Sequence, residues 1–158
     1  MSQRNHIDGY VSLEQRIPTA NEVLAKICGN RVGHTTIDIL ELNQRTCIWL
    51  ERAAYAAWAT LNLLYEYCPE RNRALLAETA DELHAVIRGG RENYPRLVGP
   101  EANLAELKSH IENLQQAVAH GGNILNNSVP LWLPEEMLKP ALDVRDLCDE
   151  AIRQPTTF

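Results

Sequence analysis

The chain is poor in the features that announce a chemistry. Its four cysteines, Cys28, Cys47, Cys68 and Cys148, include no Cys-x-x-Cys pair. A disulfide framework and a zinc-ribbon spacing therefore lack support, and the thiols read as free, packed side chains in a reducing, cytoplasmic setting. No Glu-x-x-His motif is present, so the di-iron bundle signature is missing. No G-x-G-x-x-G and no P-loop occur, which leaves nucleotide binding without a phosphate cradle. No Ser, Cys or Lys stands in a recognisable nucleophile motif. The first residues, MSQRNHIDGYVSLEQR, lack the apolar run of a signal peptide. The most apolar stretch, Cys47 to Tyr67, is interrupted by Glu51, Arg52 and Glu66, which argues against a membrane span. No cofactor, no metal and no enzymatic activity are expected.

What is present is helical. At 158 residues, with 45% hydrophobic and 23% charged side chains, the chain can bury a core in one domain or in a small head plus a bundle. Thr19 and Glu22 stand at capping-box spacing before a short helix to about Cys28, preceded by a possible first helix over Asp8 to Gln15. A long helical pattern follows from about Thr35 to Tyr67. One strip reads Ile37, Leu40, Cys47, Ala54 and Leu61, and a neighbouring strip reads Leu50, Ala57 and Leu64. Pro69 opens the next helix, with Leu76, Ala80, Leu83 and Ile87 on one face, and Gly89-Gly90 is expected to end it.

A turn-rich segment, Arg91 to Pro100, leads to a helix from Glu101 to His120. There Leu104, Leu107, Ile111, Leu114 and Val118 are spaced three and four apart. Gly121-Gly122 is the expected stop. A last helix from about Pro134 to Gln154 carries Met137, Ala141, Val144, Cys148 and Ala151, with Pro140 near its start. The pattern predicts an all-α fold, a helical bundle of five or six helices around one long central helix. A division into a head over residues 1–45 and a bundle over 46–158 is one reading, and a single continuous domain the other.

The titratable residues form no strong constellation. Asp81 and His84 lie at i,i+3, and Glu106 and His110 at i,i+4, and both pairs read as ordinary surface groups. Asp143, Asp146 and Asp149 recur every three residues on the last helix, as a solvated acidic face does. Trp58 and Tyr55 on the long helix, and Trp132 in the segment Pro130-Leu131-Trp132-Leu133-Pro134, supply core area or, where exposed, interface anchors.

Near the N-terminus, Pro18, Thr19, Val23, Ile27, Gly29, Gly33, Thr35, Thr36, Ile37 and Leu40 trace a helix, a Gly-containing turn and a second helix with a Thr-rich start. This segment resembles the DNA-binding region of the KfrA-type plasmid regulators. The resemblance implies a helix-turn-helix in which Arg31, His34, Thr35 and Thr36 meet phosphates or base edges. Two functions are therefore expected: a small DNA-binding regulator whose helical C-terminal part self-associates, most simply as a homodimer, or an acidic interaction or assembly protein that binds another protein without DNA. The net charge of −6 gives no broad electrostatic grip on phosphates.

Overall fold

A computed structural model describes residues 36–98 and 101–156, and these are all-α. Helix α1 spans Thr36–Leu64, α2 Glu70–Glu92, α3 Tyr94–Val98, α4 Leu104–Asn127 and α5 Glu135–Ile152. Short 3-10 turns follow α1 at Tyr65–Tyr67 and α4 at Val129–Leu131. The expected helices over Asp8–Gln15 and Thr19–Cys28 lie outside the described residues.

Helix α1 runs unbroken for 29 residues because nothing in it stops a helix: it contains neither Gly nor Pro. It passes without interruption through Leu42-Asn43-Gln44 and through positions 45 and 46. Its end is set by Pro69, which forces Cys68 into an extended conformation (ψ 133°). Helix α4 begins three residues later than its apolar pattern suggested. Asn103 is its N-cap, and the Asn103 side-chain oxygen accepts from the Glu106 N–H at 3.1 Å. The segment read as turn-rich contains α3, which buries Leu97.

Helix α1 packs against α2, α4 and α5, and α4 packs against the same two neighbours as well as α1. The core therefore lies around an α1–α4 pair flanked by α2 and α5. Leu50, Ala57 and Leu61 from α1 meet Leu83 from α2, Leu107, Ile111, Leu114 and Val118 from α4, and Cys148 and Ala151 from α5. No described helix is long and apolar enough to cross a membrane.

The two glycine pairs do not act as helix stops. Helix α2 continues through Gly89-Gly90 to Glu92, and α4 through Gly121-Gly122 to Asn127. Three of the four glycines mark close helix approach instead. A Cβ on Gly121 would stand 3.3 Å from Ala57 and Leu83, and one on Gly122 would stand 3.2 Å from the Cys148 Cβ. At Gly90 it would overlap Glu51 Oε2 and come within 2.7 Å of His110 Nε2. Gly89 faces nothing within 4 Å. A glycine inside a helix costs conformational entropy, and the packing of α1, α2 and α4 offsets that cost.

Candidate functional site

The most unusual chemistry in the described residues lies where α1, α2 and α4 converge. Glu51 is only 3% exposed although it carries a carboxylate. It sits one turn after Cys47 on the buried side of α1, and His110 reaches it from α4. His110 Nε2 lies 3.1 Å from Glu51 Oε2, with both side chains nearly withdrawn from solvent. An ionised carboxylate only accepts, so the imidazole nitrogen donates. Cys47, with no exposed surface, hydrogen-bonds to the same carboxylate. Burial pushes the Cys47 thiol well above its ordinary range, and the adjacent Glu51 charge and hydrogen bond push it the same way.

The three ligand-type atoms, one sulfur, one carboxylate oxygen and one imidazole nitrogen, all lie within 4.8 Å of one another. Gly90 forms the third wall, and the absence of a side chain there leaves room for the carboxylate and the ring. His110 also lines a surface groove of about 560 Å³ between α2, α3 and α4, together with Val86, Gly89, Leu97, Ser109 and Asn113. Below the cluster, Gln44 donates from Nε2 to the Leu97 carbonyl at 3.0 Å, which fastens α3 to α1. Thr46 donates its hydroxyl to the Pro155 carbonyl and holds the segment after α5 against the same part of α1.

Other expected residues are placed differently. Arg31, His34 and Thr35 lie outside the described residues, and Thr36 is the first residue of α1. Tyr55 and Trp58 are half-buried on α1, 5.6 Å apart between ring centroids, and Trp58 stacks on His84 of α2 at 5.3 Å. Trp132 is half-buried against the core, and its Nε1 is buried without a hydrogen-bond partner. Asp143 and Asp146 are exposed and take Lys139 and Arg145 as partners, the arrangement of a solvated face. His120 is inside α4 and not at its end, and bonds across to Glu82 of α2 at 2.9 Å.

Sequence spacing paired His110 with Glu106, four residues away on its own helix. The fold pairs it with Glu51, which is 59 residues away. One signal was present: Glu51 falls inside the arc of α1 occupied by Cys47, Leu50 and Ala54, where an unpaired carboxylate would be costly. The identity of its partner depends on the packing of α4 on α1, which no local pattern contains. No family model, no curated protein and no solved structure matches the chain.

Proposed function

We propose that the chain is a non-enzymatic assembly protein that pairs with a second copy of itself through the end of the bundle where α1 turns into α2. The observation that carries this reading is a group of exposed apolar side chains at that turn. Leu63 is 65% exposed, Tyr67 51%, Leu75 44% and Tyr65 39%. Large apolar groups gathered at one end of a helical hairpin mark an interaction surface more often than an incidental one. The Arg73 guanidinium lies 5.7 Å from the Tyr65 ring centroid and links the turn to α2. From Leu63 to Leu75 the charges balance, with Glu66 and Glu70 against Arg71 and Arg73, within a chain of net charge −6. Local neutrality lets two copies approach without the repulsion that the rest of the surface would impose, and a two-fold pair repeats the same patch on both sides.

DNA binding through Arg31, His34, Thr35 and Thr36 ranks below this reading. An unbroken α1 in which Leu42, Asn43 and Gln44 are buried favours a bundle role for this stretch over a separate recognition helix. Light scattering during size-exclusion chromatography tests both readings. A dimer that becomes a monomer in Leu63→Glu/Leu75→Glu, with helicity unchanged, supports self-association. A monomer at all concentrations sinks it. A low-salt mobility shift of duplex DNA that is abolished by Arg31→Ala would put the DNA reading first.

A further inference from the structure

We propose that Cys47 Sγ, a Glu51 carboxylate oxygen and His110 Nε2 together form a binding site for a divalent transition-metal ion, with zinc the best match. The site lies at the middle of α1 and shares no residue with the pairing surface at its C-terminal end. Its donors are a thiolate, an imidazole and a carboxylate, the set that zinc takes in proteins and that magnesium and calcium do not. Cys47 and Glu51 are one helical turn apart on α1, and His110 comes from the facing helix, so rigid elements hold all three.

The spacing fits. Tetrahedral zinc with ordinary bond lengths places its ligand atoms about 3.3–3.6 Å apart. Here they lie within 4.8 Å of one another, and the Glu51–His110 pair is already at 3.1 Å. Small rotations about the side-chain torsions bring the three around one ion. Gly90 adds a second, independent observation. A side chain at that position would overlap both Glu51 Oε2 and His110 Nε2. Helix α2 thus gives up a side chain where the Glu51 carboxylate and the His110 ring come together.

A thiolate and a carboxylate together neutralise a divalent ion, so the occupied site carries no net charge into the core. On binding, the thiol proton leaves to solvent, the sulfur–metal bond forms, and the His110 proton moves to its other ring nitrogen. Three protein ligands leave one tetrahedral position, which a water fills. The groove lined by His110 gives that water its route of entry.

The test uses the full chain, stripped with a chelator and titrated with cobalt(II), then with zinc(II) in competition with a chromophoric chelator. The expected result is one ion per chain, with a thiolate-to-cobalt charge-transfer band and the intense visible bands of a tetrahedral site. Cys47→Ala is expected to remove the charge-transfer band, and His110→Gln to weaken cobalt binding more than about tenfold. Cys68→Ser, beyond the C-terminal end of α1, is expected to change neither. Should the core variants fail to fold, zinc X-ray absorption of the unaltered chain reads the site directly, as one sulfur with nitrogen and oxygen neighbours. Absence of stoichiometric binding by the unaltered chain, a band that survives Cys47→Ala, or a zinc shell without sulfur would each overturn the proposal.

Discussion

The two halves of α1 bury different chemistry. From Leu42 to Glu51 the buried set includes Asn43, Gln44, Thr46, Cys47 and Glu51 beside Leu42, Ile48 and Leu50. From Ala53 to Leu64 it is Ala53, Ala54, Ala57, Leu61 and Leu64, without a polar side chain. The second half packs on Leu83 and Gly121 through small residues that bring α1, α2 and α4 close together. The first half is held by directed bonds: Gln44 to Leu97, Thr46 to Pro155 and Glu51 to His110. Its outer side is polar too, with the Arg45 and Arg52 guanidinium groups 5.6 Å and 5.3 Å from the Trp49 ring centroid. Apolar packing tolerates small shifts, whereas a buried polar network works only in one register. Both halves bury apolar side chains, and the directed bonds of the first half fix how the helices are aligned.

The strongest test of that division removes one partner of the buried pair. His110→Ala leaves the Glu51 carboxylate without its ring partner and is expected to cost about 3–5 kcal/mol in urea unfolding. The double variant Glu51→Leu/His110→Leu removes both polar partners and is expected to recover most of that loss. If His110→Ala costs less than about 1 kcal/mol, the polar half does not carry the role given to it.

Adjacent glycines give a finer test. Gly90→Ala is expected to destabilise by about 1–3 kcal/mol, because the new methyl meets Glu51 and His110. Gly89→Ala, one residue earlier on the same helix, meets nothing and is expected to stabilise by about 0.5–1 kcal/mol. The same sign for both substitutions would count against the close approach at Gly90.

The apolar side has its own titration. Burial, and after it the neighbouring Asp149 charge, pushes the Cys148 thiol up to about 12 from an ordinary value of 9.0. The folded state holds this proton more tightly than the unfolded chain. That contribution is complete below pH 9 and is lost as pH rises toward 12, at about 1.4 kcal/mol per pH unit. Cys148→Ala is therefore expected to flatten the alkaline fall in stability relative to the unaltered chain, as measured by urea midpoints across that range. Equal slopes in the two proteins would show that the thiol is not held this way.

The helices were legible because their signals are local. The spacing of Leu104, Leu107, Ile111, Leu114 and Val118 marks a face whatever packs on it, and Pro69 ends α1 by its own geometry. The glycine pairs were misread because a stop and a close contact look alike in sequence. What separates them is a neighbour that arrives from another helix, Ala57 and Leu83 at Gly121 or Glu51 at Gly90. The Cys47, Glu51 and His110 cluster was not legible as a group. Glu51 reads in sequence only as a charge that interrupts an apolar stretch, although its place in the apolar arc was a usable signal, and His110 reads as a surface group because its partner stands 59 residues away. Exposed Leu63 and Leu75 were not singled out, since periodicity shows which positions can share a face but not which faces stay uncovered.

The bond between Thr46 and Pro155 joins residues 109 positions apart, and Gln44 reaches Leu97 across 53. During synthesis, the apolar half of α1 can close on α2 as soon as the hairpin at Pro69 has left the ribosome. The polar half must wait for α3, then α4, and last for the segment after α5. A nascent chain therefore carries an unfinished, hydrogen-bond-hungry stretch of its longest helix for most of its elongation. The segment after α5 completes it at Thr46, so the N-terminal half of α1 is finished by residues more than a hundred positions downstream.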